Sequence, residues 1–559
     1  MIYARQIKHA VANMMRMAAR DPLWAAVALL TLPFRTAKRF VMGAAAYAMT
    51  VLSAAFVVWY VGESLGAEKG DSIWTIGNWM FSAFAVILLI RMLSAPLILH
   101  FGSESDDSHG SARFADKREI APLVQSRSGL LIGRDPRTKQ LLRYNGPAHL
   151  LTMAPTRSGK GVGTIIPNLL TADRSIICID PKGENAMIAG EARLRFGPVH
   201  ILDPFAAASS PSAAFNPLDH LDPESVDVAD DVATLADALV FDEPGSSGDA
   251  HWNEEAKALI AGLLLHSVAA ESVDRRNLST LRHYLTMPPD AFHSLLLDMQ
   301  ASDGLNGLIA RAANRHLGKS DREASGVLSA AQRHTHFLDS PRMTKVLASS
   351  DFRFADLKTG KATVFLVLPP DRLAVYSRWL RLLITQSLID MARTTSSSVQ
   401  TDPPVLYLLD EFAALGHLAP IERAMGLMAG YGVQLWPILQ DVHQLRATYG
   451  HRAGTFLSNA GVLQVFGVND HESARLVSDL LGQETVIFKT AARALDSEKS
   501  GLSFAEQHVG RSLLTPDEVR NLPASDELLF IAGQRPIVAR KLRYYADAEF
   551  ASLFSRMEP

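Results

Sequence analysis

One stretch limits the fold more than any other: Ala148-His149-Leu150-Leu151-Thr152-Met153-Ala154-Pro155-Thr156-Arg157-Ser158-Gly159-Lys160-Gly161. The apolar run 150–153 ends in a turn of small residues, passes through Gly-Lys-Gly and enters 162–170, which continues as a helix. Strand, tight loop and helix start is the order that lets backbone N–H groups converge on an anion. The helix dipole favours negative charge there, and a lysine can span two phosphates. Against the general pattern G-x-x-x-x-G-K-[ST], Ala154 replaces the first glycine and Gly161 the hydroxyl after the lysine. The match is partial, and an ordinary strand–turn–helix is the alternative at this point.

A second half-match lies far downstream. Val405-Leu406-Tyr407-Leu408-Leu409-Asp410-Glu411 is an apolar strand ending in two carboxylates. An acid at a strand's carboxyl end can hold the water shell of Mg²⁺, and an adjacent glutamate can orient and deprotonate an attacking water. The bland alternative is a buried strand with solvated acids at its exit. The next strand, 433–439, ends in Gln440, an amide placed to hydrogen-bond a γ-phosphate or the attacking water. Taken together, these features predict binding and hydrolysis of a nucleoside triphosphate. Thr156, Arg157, Ser158, Gly159, Lys160, Gly161 and Val162 form the phosphate cradle, Asp410 is the metal-side acid, and Lys160, Glu411 and Gln440 carry the chemistry.

Hydrophobicity gathers at the N-terminus. The runs 40–61 and 79–99, the second interrupted only by Arg91, each have the roughly 20 residues that cross a bilayer core. Arg5, Lys8, Arg16, Arg20, Arg35, Lys38 and Arg39 precede the first run, and Arg113, Lys117 and Arg118 follow the second. Between the runs only Lys69 stands beside Glu63, Glu68 and Asp71. By the positive-inside rule both ends face the cytoplasm, with Trp59, Tyr60, Trp74 and Trp79 as an aromatic belt at the outer surface. The run comes too late for a cleavable signal peptide. Residues 22–34 are short for a span and read as interfacial, with a third span as the alternative. Arg91 reads as snorkelling, with a paired intramembrane charge as the alternative.

The polar linker 103–108 opens the soluble body. A strand over 175–180 ends in Asp180-Pro-Lys-Gly-Glu184, placed near the nucleotide or a partner subunit if strand ends line the crevice, or else a capped turn into the next helix. Another strand covers 199–202. Residues 221–350 contain helical periodicity (Val228, Val232, Leu235 and Leu239 share one face) and no convincing strand. Strands return at 362–368, 405–411, 433–439, 461–468 and 528–532, with a long helix over 373–392. Asn469 to Glu472 reads as a capping box, Asn469 the cap and Glu472 reaching back. The alternation specifies a mostly parallel α/β core. The single cysteine, Cys178, sits in an apolar strand, so no disulfide framework exists. With a net charge of −3 the chain is not a nucleic-acid-coating protein, although a local basic channel stays open.

In this order, a two-span N-terminus, Ala-Pro-Thr-Arg-Ser-Gly-Lys-Gly, Asp180-Pro-Lys-Gly-Glu184, Leu409-Asp-Glu-Phe412, Leu439-Gln-Asp441 and Phe466-Gly-Val-Asn-Asp-His-Glu472 resemble the TraG-type coupling proteins of type IV secretion and conjugation systems. The resemblance spans nearly the whole chain. It implies an α/β fold: a RecA-like P-loop NTPase core over 102–220 and 351–559, an inserted all-alpha domain over 221–350, a transmembrane hairpin over 40–101 and a cytoplasmic segment over 1–39. It further implies an ATP- and Mg²⁺-dependent hexamer in the bacterial inner membrane that recruits a relaxase–DNA complex or protein effectors to the secretion channel, with single-stranded DNA as a possible ligand. Lys160 would bind the β- and γ-phosphates, Asp410 the magnesium through water, Glu411 would activate the water and Gln440 sense the γ-phosphate. Gly161 leaves the hydroxyl ligand of magnesium unassigned, with Thr164 one turn on as the candidate. The arginine that some relatives lend a neighbouring subunit is absent from 427–434, leaving Arg423 and Arg446 as substitutes. Two other readings stand beside this one: an FtsK-like DNA translocase, and a receptor that binds nucleotide without hydrolysing it. Basic residues Arg535, Arg540, Lys541 and Arg543 could contact phosphates or form a solvated strand edge.

Overall fold

The computed structural model describes residues 7–8, 10–15, 18, 37–66, 71–101, 109–208, 211–240, 250–393, 403–493 and 502–554. The run 22–34, the linker 103–108, Glu68, Lys69, Arg5, Arg16, Arg20 and Arg35 lie outside them. Two compact units result, Met1–Ser111 with Glu484–Gly510, and Ala112–Gln483 with Arg511–Pro559.

In the first unit two helices, Ala37–Ser64 and Ser72–Phe101, follow from long runs of good helix formers. Their segments Gly43–Ser64 and Trp74–Ser94 are long and apolar enough to cross a membrane. They run antiparallel, with small residues at the seam: the Tyr47 hydroxyl donates to Ala85 O at 3.4 Å, and a Cβ on Gly62 would lie 2.5 Å from the Trp74 ring. Only glycine leaves room there for the Trp74 ring. Met49, Leu52, Phe56, Trp59, Trp79 and Ile87 are exposed on this pair, as expected of a surface that faces lipid rather than water.

The strands are β1 (Leu130–Arg134), β2 (Leu141–Tyr144), β3 (His149–Met153), β4 (Ile176–Asp180), β5 (Val199–Leu202), β6 (Thr363–Val367), β7 (Val405–Leu409), β8 (Val433–Leu439), β9 (Ala460–Val465), β10 (Gln483–Arg493), β11 (Leu502–Ser512), β12 (Asp526–Ile531) and β13 (Ile537–Arg540). β10 and β11 form a two-stranded sheet, and the rest one sheet in the order β2-β1-β13-β12-β9-β3-β8-β7-β4-β6-β5. From β9 to β5 every neighbour pair is parallel. β3, β4, β7 and β8 are buried at every position, the pattern of strands covered by helices on both faces. The other border, β12, β13, β1 and β2, is antiparallel.

Between β5 and β6 the described chain is helical from Val228 to Val346, apart from turns. These helices share one apolar core with the sheet, Leu235, Leu263 and Val327 joining Trp379 and Tyr407. Differences from the sequence reading are local. β13 follows the strand that the sequence reads as last, and β1, β2, β10 and β11 are strands that the sequence reading does not contain. The helix after β6 begins at Pro370, three residues earlier than its periodicity indicates, because proline suits a first turn whose N–H groups lack partners anyway. The cap of His471–Leu481 is Asp470, whose side chain accepts from Ser473 N, and not Asn469. Glu472 does not reach back but pairs with His443 and Arg446.

Candidate nucleotide site

β3 lies between β8 and β9, and β7 lies beyond β8. Their ends are in step, with Met153 opposite both Leu439 and Val465, and Leu409 opposite Pro437. The loops that leave their carboxyl ends therefore emerge side by side, and β3 and β7, two strand spacings or about 10 Å apart, are close enough for a lysine to bridge. After β3 the chain turns through Arg157 at φ 63° and Gly159 at φ 95°. It then winds as a single π-helical turn, Gly161–Ile165, before the α-helix Ile166–Thr171. Wide turns of this kind are concentrated at functional sites.

Lys160 crosses the gap. Its ammonium stands 2.8 Å from Asp410 Oδ1 and 2.5 Å from Glu411 Oε1. Burial pushes the ammonium towards losing its proton, but the Asp410 and Glu411 carboxylates outweigh that and leave its pKa above the ordinary value. Burial raises the Asp410 carboxyl, against the pull of Lys160. Glu411 adopts φ 49°, ψ 44°, a left-handed conformation that is unusual for any side chain except glycine and is characteristic of functional sites. Its other oxygen lies 3.4 Å from Gln440 Nε2. Thus Lys160, Asp410, Glu411 and Gln440, from three adjacent loops, form one cluster.

The cradle residues Thr156 and Arg157 are exposed, whereas Ser158, Gly159, Gly161 and Val162 are half-buried. A Cβ on Gly159 or Gly161 would meet no heavy atom within 4 Å. Packing does not require these glycines, and the space beside them suits the close approach of a ligand. The Ser158 hydroxyl is buried without a hydrogen-bond partner, a donor that a phosphate oxygen would satisfy. A triphosphate fits this cradle, and a magnesium ion that keeps most of its waters fits Asp410.

Other candidates are placed elsewhere. Thr164 is fully buried and its hydroxyl donates to Gln464 Oε1 at 3.1 Å, so it faces the core and not a metal. Thr152 and Glu527 bind the same glutamine. Asp180 caps the turn ahead of the helix Glu184–Arg193, accepting from Ala186 N at 2.8 Å, while burial raises its pKa to about 6. Arg446 is paired with Glu472 of its own chain. Arg423 lines a cavity of about 250 Å³ together with Lys257, Asp237 and Arg381, away from the phosphate loop. Arg540 stands 3.9 Å from Asp526.

Two residues outside the cradle read from the sequence touch the loop. A Cβ on Gly163 would sit 3.0 Å from Leu542 O and 3.1 Å from the Phe466 ring. Lys541 donates to Ser158 O at 3.3 Å and to Phe466 O at 2.6 Å. The Gly-Val-Gly spacing after Lys160 was the available signal for Gly163. Lys541 stands out in the sequence only as one of four basic residues that could contact phosphates, because its partners here are more than 70 residues away.

The chain is similar to known proteins along most of its length. A family model described as type IV secretory system conjugative DNA transfer matches residues 111–557. A conjugal transfer protein TraG of Escherichia coli is 29% identical over 540 residues, covering 87% of this chain and 84% of its own. Protein VirD4 of Rhizobium radiobacter is 28% identical over 504 residues, 86% of this chain and 70% of its own. Among solved structures, the bacterial conjugative coupling protein TrwBdeltaN70 superposes with a TM-score of 0.58 at 17% identity, over 77% of this chain and 92% of that one. The plasmid coupling protein TrwB in complex with the non-hydrolysable ATP analogue ADPNP gives 0.57 at 18% identity, over 80% and 95%. At these identities the structures speak for the fold, the RecA-like P-loop core that the sequence resemblance implies.

Proposed function

This chain belongs to the type IV secretory system conjugative DNA transfer family and is a type IV coupling protein with a P-loop core, and on that premise we propose that it binds and hydrolyses ATP to drive substrate into the secretion channel. The observation that carries the proposal is the cluster of Lys160, Asp410, Glu411 and Gln440 at three neighbouring strand ends. A nucleotide-binding receptor without turnover has no use for the second carboxylate.

In the proposed reaction the phosphates take Lys160 from the carboxylates, and the N–H groups of 156–162 and the Ser158 hydroxyl hold the oxygens. Asp410 would hold magnesium through water, and the ion would there neutralise charge on the transferring phosphoryl group. Glu411, released from Lys160, accepts a proton from the attacking water. As the new P–O bond forms, the bond from the γ-phosphorus to its bridging oxygen breaks. Gln440 donates to the water or to a γ-oxygen. The two apolar helices Gly43–Ser64 and Trp74–Ser94 support anchoring in the inner membrane. The flanking basic residues support both ends facing the cytoplasm, and the helical stretch 221–350 is the segment to read a relaxase–DNA complex or effector. Assembly as a hexamer is part of the proposal, with Arg423 or Arg446 as the residue offered to a neighbour.

ATP hydrolysis by the full chain in detergent, with and without single-stranded DNA and across protein concentration, is the test. Turnover that rises with both supports a DNA-stimulated oligomeric motor. Nucleotide binding without turnover at any concentration would sink the hydrolytic proposal.

A further inference from the structure

The chain leaving β13 runs back across the phosphate loop. Lys541 Nζ donates to the carbonyls of Ser158 and Phe466 and stands 4.9 Å from the centre of the Phe466 ring. Leu542 O closes on Gly163, and Tyr544 N donates to Val162 O at 3.4 Å. Lys541, Leu542 and Tyr544 thus lie against the loop and the helix start.

A loop that turns its N–H groups towards an anion has to direct its carbonyls elsewhere, and each needs a donor. Lys541 is that donor for Ser158. The same contact brings a second positive charge against the loop from outside. Tyr544 is half-buried, its ring edge-on to Phe554 with centroids 5.0 Å apart. Tyr545 meets the Tyr544 ring edge-on at 5.6 Å and is 58% exposed. An open aromatic face thereby sits one residue from the backbone bonded to Val162, two positions past the phosphate-binding lysine. A flat heteroaromatic ring tethered to phosphates in the cradle is the ligand chemistry that suits such a face, because stacking tolerates any base.

We propose that segment 541–545 is the nucleobase side of the site, with Tyr545 stacking on the base and Lys541 as the positioning residue of the phosphate loop. The inference rests on nucleotide binding by that loop. It assigns the chain's basic end a role in nucleotide affinity.

The test compares Mg·ATP with Mg·tripolyphosphate, which lacks a base, on the full-length chain in detergent by calorimetry. Wild type binds ATP more tightly. Tyr545→Ala lowers ATP affinity about tenfold and leaves tripolyphosphate unchanged, while Tyr545→Phe keeps the ATP advantage. Lys541→Met weakens both ligands by the same factor, about tenfold, and Lys541→Arg restores both. An ATP advantage that survives Tyr545→Ala overturns the base assignment, and equal affinities in Lys541→Met and wild type overturn the positioning role. If wild type binds neither ligand, or Lys160→Ala binds both as wild type does, the nucleotide reading itself falls and takes this inference with it.

Discussion

Glu411→Gln separates binding from chemistry and puts numbers on both. The amide keeps the size and backbone of the glutamate but cannot accept a proton, so the reaction loses its base. General base catalysis contributes about 10²–10⁴-fold, and turnover should fall by that factor. Affinity should move the other way. Before phosphates can use Lys160 they must draw it from two carboxylates, at 2.8 Å and 2.5 Å. The variant leaves only Asp410. Glu411 is about one-third exposed, so water screens the lost pair, and its worth is that of a surface ion pair, about 1 kcal/mol. ATP should therefore bind about fivefold more tightly. Phosphate release and calorimetry on the same preparation read the two effects. Turnover within tenfold of wild type would remove Glu411 as base. A weakened ATP affinity would refute the competition for Lys160.

Other substitutions probe the site's surroundings. Gly163→Ala pushes a methyl against the Leu542 carbonyl and the Phe466 ring, neither of which is a flexible chain end. It should cost about 1–3 kcal/mol in thermal unfolding and weaken nucleotide binding, and an unchanged melting temperature would show the contact to be loose. Thr164→Val removes one buried hydrogen bond while Thr152 still serves Gln464. Stability should drop by about 1 kcal/mol with the Mg²⁺ requirement of hydrolysis unaltered, whereas a raised requirement would restore Thr164 as a metal ligand. Glu527 is wholly buried, and burial raises its pKa from 4.5 to about 8. Its contribution to stability is complete below pH 4.5 and is lost as pH rises through about 8, an effect on the order of a few kcal/mol. Glu527→Gln should flatten the fall in melting temperature between pH 5 and 9, and a fall as steep as wild type would place its origin elsewhere.

The parallel half of the sheet was legible because its strands are covered on both faces and read as unbroken apolar runs; β8 matches its sequence boundaries, Val433 to Leu439. The antiparallel border was not. β2 is Leu-Leu-Arg-Tyr and β13 Ile-Val-Ala-Arg, four residues each and partly exposed, too short for a period of two to register. Lys160, Asp410, Glu411 and Gln440 could be read as a group because each lies in the chain that leaves a strand's carboxyl end, beside a local motif. Lys541 was legible as one of four basic residues, but its place beside Ser158 was not, since nothing near it in sequence points to that loop. The cap shifted from Asn469 to Asp470 because both residue types cap well and only the backbone decides which starts the helix. Thr164 was misplaced for a geometric reason: the π turn over Gly161–Ile165 rotates its hydroxyl under the sheet, a deviation that a count of residues per ordinary turn misses.

The helical stretch leaves from β5, the last strand at its border, and returns into β6, which pairs with β5. Both of its attachments thus lie on one flank, with β8, β7 and β4 between β6 and the phosphate-loop strand. The register of the strands that lead to Lys160, Asp410 and Gln440 is therefore set without the insertion, whereas the apolar core is not: exchanging the stretch would require a replacement for Leu235, Leu263 and Val327 against Trp379 and Tyr407.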